Sequence, residues 1–185
     1  RLAGSSKEKL AAEYLSTQLK SFKLKPYDGK SYIQNFDYKL KLNPKDSLAI
    51  TTIQAHNVIG FLDNKAAKTI IIGAHYDHLG LNEHNNSTKP NSKGEIHNGA
   101  DDNASGVASL LEIAKLYQGF KKDRPKRSVL LVMVTGEEMG LLGSTYFANN
   151  PTVPKDKIVA DINTDMPTIL APLLGIVPLG AEHST

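Results

Sequence analysis

Residues 128–144 read SVLLVMVTGEEMGLLGS, and their order decides the fold. From Ser128 to Val134 the run is apolar without alternation, the pattern of a strand buried on both faces of a sheet. It empties through Gly136 into two adjacent carboxylates, Glu137 and Glu138. Neighbouring carboxylates repel each other and are costly to desolvate, so a turn that carries both at the end of a buried strand calls for a cation beside them.

Two further segments have the same grammar: KTIIIGAH at 68–75 and KIVADINTD at 157–165, with helical stretches around 104–117 and 140–149 between the strands. Upstream, SSKEKLAAEYLSTQLKSF places Ser5 three residues before Glu8, a capping-box spacing. It continues with Leu10, Tyr14, Leu15, Leu19 and Phe22 toward one helical face. FDYKLKL alternates Phe36, Tyr38, Leu40 and Leu42 with polar residues as a half-buried strand does, and NVIGFL at 57–62 reads as another strand. The expected fold is α/β: a three-layer αβα arrangement around a mixed, largely parallel sheet. In such folds ligands gather outside the carboxyl ends of the strands. The polar loop 81–99 is long enough to suggest a role at that edge.

Composition narrows the chemistry. The chain has 185 residues, 40% hydrophobic and 22% charged, which suits a single domain with one sizeable core. Its net charge of +3 is too small to imply nucleic acid, and the basic run KKDRPKR at 121–127, broken by Asp123 and Pro125, reads as a solvated loop. No apolar run is long enough to cross a bilayer. With no cysteine, a metal would have to be held by His, Asp and Glu.

Those residue types stand where the strands end: His75 and Asp77 after TIIIGA, Glu137 and Glu138 after LLVMVTG, and Asp165 after VADINT. NGADDNASG opens a helix with Asp101 and Asp102. A lone carboxylate at a strand end is usually a cap or turn residue; three strand ends and one helix start supplying only His and carboxylate are not. In extended backbone, residues two apart face one side, so Asp77 can accept the second imidazole proton of His75, while His78 is expected to point elsewhere. Glu137 and Glu138 point apart. One can bind a metal while the other faces the reacting water.

GAHYDHLG, NGADDNASGVASLLEIA, RSVLLVMVTGEEMGLLGS and INTDM, in this order, resemble the di-zinc aminopeptidases of the bacterial leucyl aminopeptidase type, whose relatives include glutamate carboxypeptidases, glutaminyl cyclases and the transferrin receptor. The resemblance implies that His75 and Asp165 bind one zinc, that Asp101 bridges two, that Glu138 binds the second and that Glu137 is the general base. It also implies a cis peptide between Asp101 and Asp102. The activity implied is hydrolysis of the N-terminal bond of a peptide by a zinc-activated water; a carboxypeptidase, a glutaminyl cyclase and a non-catalytic binding module are the alternatives. A fifth ligand, a histidine, is expected beyond Thr185, since His183 in LGAEHST matches a non-ligand segment. On this reading residues 1–185 form a single, incomplete catalytic domain without an inserted protease-associated domain. The complete domain would hold two zinc ions and these residues alone at most one tightly. Family habit suggests a secreted or periplasmic protein, lipid-anchored before processing in some cases.

Overall fold

The computed structural model describes residues 1–41, 50–119 and 125–168. Its elements are α1 (Ser6–Ser21), β1 (Lys25–Pro26), β2 (Ile33–Lys41), β3 (Ile50–Leu62), β4 (Thr69–His75), α2 (Gly106–Gly119), β5 (Ser128–Val134), α3 (Leu142–Asn149) and β6 (Ile158–Asn163). The apolar segments read as strands from the sequence are β4, β5 and β6. They run parallel to one another, with β4 between β5 and β6. β3 joins β5 antiparallel, and β1 and β2 pair antiparallel with β3. The sheet is therefore mixed, parallel where the candidate ligands leave it.

Helices cover both faces. On one, Ala12, Leu15 and Leu19 of α1 and Val107, Leu110 and Ala114 of α2 pack on Val58, Ala74, Val129, Leu131 and Met133. On the other, Phe147 of α3 packs on Ile59, Ile71, Leu130 and Val132. Because successive β5 side chains alternate between these clusters, both faces of the strand are dry, which is why its sequence does not alternate. Phe36 and Tyr38 of β2 are buried as the alternation predicts; Leu42 lies outside the described residues.

Two expectations are corrected. Ser5 does cap α1, accepting from the Glu8 N–H at 3.1 Å, but the buried stripe is Glu8, Ala12, Leu15 and Leu19. Leu10 and Tyr14 are 56% and 59% exposed. The helix is rotated because Glu8, fully buried, pairs with His56 at 2.8 Å and accepts from the Tyr76 hydroxyl, a polar anchor that hydrophobic periodicity does not register. β6 is apolar in sequence yet exposed at Val159 and Ile162, since among the described residues it has a strand neighbour only on its β4 side.

Candidate metal centre

The carboxyl ends of β4, β5 and β6 and the turn before α2 converge on one site. His75, the last residue of β4, is buried, and its Nε2 lies 3.1 Å from Asp102 Oδ1, 3.3 Å from Asp165 Oδ1 and 4.0 Å from Glu137 Oε2. Asp77 faces the other ring nitrogen at 3.5 Å and accepts the backbone N–H of Glu137 at 3.1 Å, so one buried carboxylate ties the β4 exit to the β5 exit. Glu138 turns away from Glu137 and meets His78 Nδ1 at 2.6 Å.

Among the described residues, two sets of donors lie close enough to hold an ion: His75 with Asp102 and Asp165, and His78 with Asp102 and Glu138. Asp102 belongs to both. Zinc bonds of roughly 2.0–2.2 Å at tetrahedral angles separate donor atoms by about 3.3 Å. The 3.1 and 3.3 Å spacings around His75 match that edge, so the residues fit zinc.

The electrostatics answer the question raised by the paired glutamates. Burial pushes the Glu138 carboxyl up to about 7, helped by the charges of Asp102 and Glu137. Burial also raises Glu137, with Asp77, Asp165 and Asp102 adding to the effect and His75 opposing it. Burial alone would lower His75, but Asp77, Asp165 and Glu137 outweigh it and hold the imidazole at about 9. All three shifts favour the protonated forms, as expected where several carboxylates crowd one buried edge, and a cation there would oppose them.

The aspartate brought to His75 is not the one that the resemblance implies as the bridge. Asp102, not Asp101, faces His75; the Asp101 carboxylate accepts from Ser105 at 3.4 Å and from Thr168. The cause is backbone geometry. Asp102 and Asn103 leave helical φ/ψ (−97°, 96° and −133°, 46°), turning Asp102 inward before α2 begins. The cis peptide likewise joins Asp102 to Asn103, one residue later than expected. His78, expected to point away, faces Glu138; β4 ends at His75, so strand alternation no longer sets the direction of the residues that follow. In the loop 81–99, His84 is exposed and His97 is half-buried beside the His78 ring, 6.3 Å between centroids. His183 lies outside the described residues.

Glycines make the turn possible. A Cβ at Gly99 (φ 61°) would stand 2.7 Å from both the His78 ring and the Asp102 carbonyl, and one at Gly106 would stand 2.4 Å from Asn103 Oδ1.

Two supporting residues escaped the sequence reading. Asn103, fully buried, donates to the Thr164 carbonyl at 2.9 Å and accepts from the N–H groups of Gly106 at 3.0 Å and Met166 at 3.2 Å. It thereby fastens the Asp102 turn to the strand exit bearing Asp165. Asn57, also fully buried, accepts from Thr135 N–H at 3.2 Å and donates to the Gly143 carbonyl at 2.9 Å, bracing the turn with Glu137 and Glu138. The only signal for either was an asparagine among apolar or ligand-bearing neighbours.

Residues 57–181 match the model of Peptidase family M28. Aminopeptidase YwaD of Bacillus subtilis is 28% identical over 130 residues, 69% of this chain and 24% of that protein. A probable zinc metalloprotease of Pyrenophora tritici-repentis is 35% identical over 99 residues, 46% of this chain and 20% of that protein. Porphyromonas gingivalis glutaminyl cyclase superposes with a TM-score of 0.68 at 25% identity, covering 89% of this chain and 55% of that one. A leucine aminopeptidase precursor from Bacteroides thetaiotaomicron does so with a TM-score of 0.64 at 24% identity, covering 89% and 56%. The chain thus spans about half of these solved structures and about a quarter or less of these curated relatives. Among the described residues no helix is long and apolar enough to cross a membrane. With the motifs in order, the strand exits converging and more than half of its length matched, the chain belongs to Peptidase family M28.

Proposed function

We propose that this chain carries the metal-binding and proton-transfer residues of a zinc-dependent exopeptidase that releases the N-terminal residue of a peptide. The observation that carries the reading is the position of His75 Nε2, 3.1 Å from Asp102 and 3.3 Å from Asp165, with Glu137 4.0 Å away on the open side. His75, Asp102 and Asp165 hold the first zinc position. Asp102 and Glu138 serve the second, which is the weaker because, with His78 turned to Glu138, the described residues add no further nitrogen donor to the two carboxylates.

Bound zinc supplies the Lewis acid that polarises the scissile carbonyl and acidifies the attacking water. Glu137, partly exposed and with its carboxyl raised by burial, takes the water's proton and returns it to the leaving amine. Asp77, fully buried, keeps His75 turned toward the site and holds the Glu137 backbone through one carboxylate.

The test is zinc content together with release of product from an amino-acid amide and from the same compound blocked at its amine. Zinc-dependent cleavage of the unblocked compound alone supports the aminopeptidase reading. Cleavage of C-terminally free, amine-blocked peptides instead selects the carboxypeptidase alternative, and cyclisation of N-terminal glutamine the cyclase.

A further inference from the structure

We infer that His78 is a positioning residue for Glu138: its Nδ1–H holds the carboxylate toward Asp102 and so sets the affinity of the second zinc position. This rests on the metal-site reading above.

The distance decides between this role and direct ligation. Two donors on one tetrahedral zinc sit about 3.3 Å apart, as the His75 contacts do. His78 Nδ1 and Glu138 Oε1 are 2.6 Å apart, closer than two ligands of one such ion and at the short end of hydrogen-bonding distance. A carboxylate that binds a metal is ionised and only accepts, so with zinc at the second position the imidazole is the donor.

His78 is itself held on several sides. Its backbone N–H donates to the Arg1 carbonyl at 3.0 Å. The Arg1 guanidinium in turn binds the carbonyls of Tyr76 at 2.7 Å and Gly99 at 3.1 Å, on the two segments flanking the imidazole. The ring occupies space that only a glycine at 99 leaves open. Glu138 is fixed from its backbone too, its carbonyl accepting from Asn86 Nδ2 at 3.2 Å. The loop between Leu81 and Gly99 therefore brackets the second position: Asn86 secures Glu138, and the Gly99 end seats the ring that aims it. Residues that orient metal-ligating carboxylates change metal affinity by roughly 10–100-fold when removed.

The test is zinc titration of the full chain against a chromophoric chelator, resolving the tighter and weaker positions, for the wild type, His78→Ala, His78→Asn and Glu138→Ala. Asparagine places an amide N–H near the Nδ1 position but is a poor zinc ligand. The expected result is that His78→Ala weakens the second position about 10–100-fold and leaves the first unchanged, while His78→Asn restores the second to within about threefold. Two outcomes overturn the inference: no effect of His78→Ala, or a His78→Asn variant as weak as the alanine, which makes the ring a ligand or a packing element. Glu138→Ala separates the two levels. If it does not weaken the second position, the metal-site reading fails; if it does and His78→Ala does not, only the role of His78 fails.

Discussion

Replacing Asn103 by alanine tests how the site is assembled. The side chain makes three hydrogen bonds and is fully buried. Its contact with the Gly106 N–H caps the start of α2, and removing such a cap costs about 1 kcal/mol. The Thr164 carbonyl and the Met166 N–H each lose a partner, at about 0.5–1.5 kcal/mol apiece; Met166 is exposed enough for water to recover part of its share. The sum is about 3 kcal/mol, or two orders of magnitude in the folding equilibrium, measured as the shift in urea unfolding of the metal-free protein followed by circular dichroism. Because the same amide joins the Asp102 turn to the Asp165 strand exit, zinc affinity at the first position should fall about 10–100-fold in parallel. A stability loss below about 1 kcal/mol, or an unchanged first zinc affinity, would refute the argument that Asn103 holds the two ligands in register.

Glu137→Gln should leave both zinc affinities within a few-fold of wild type while turnover falls about 10²–10⁴-fold, the usual worth of a general base; near-normal turnover removes Glu137 from that role. Gly143→Ala should destabilise by about 1–3 kcal/mol, because the new Cβ would meet Thr135 O at 2.3 Å and Asn57 Oδ1 at 2.4 Å. Unfolding within about 0.5 kcal/mol of wild type would show that α3 shifts freely. Burial, helped by Glu8 and Asp77, pushes the Tyr38 hydroxyl up to about 12. The unfolded chain then loses that proton before the folded one does, so stability should decline as pH rises from about 10 through 12. Tyr38→Phe should make this decline less steep, the raised hydroxyls of Tyr76, Tyr27 and Tyr32 supplying the remainder, and an identical alkaline slope in the variant contradicts the assignment.

The sheet was legible because β4 and β5 are dry on both faces and declare it by unbroken apolar runs, and most of the site was legible because strand ends carry its residues. What sequence could not supply was the turn geometry between Gly99 and Gly106. Choosing between Asp101 and Asp102 depends on two residues with non-helical φ/ψ, and adjacent aspartates offer no periodicity to separate them. The direction of His78 was hidden for the same reason: the rule that alternate residues share a side ends with the strand at His75. The face of α1 was misjudged because a buried Glu8–His56–Tyr76 cluster, not a row of leucines, seats the helix. β6 shows the reverse problem, since an apolar sequence says that a strand suits burial without saying what covers it.

The central claim is that His75, Asp102 and Asp165 form one zinc position, with Asp102 shared toward Glu138. Anomalous scattering at the zinc edge from crystals grown with saturating zinc tests it directly. The account predicts a peak bonded to His75 Nε2, Asp102 and Asp165 at roughly 2.0–2.2 Å, and a second peak about 3.5–4 Å away on the far oxygen of Asp102 beside Glu138. Zinc bound through Asp101, or found away from His75, would contradict it.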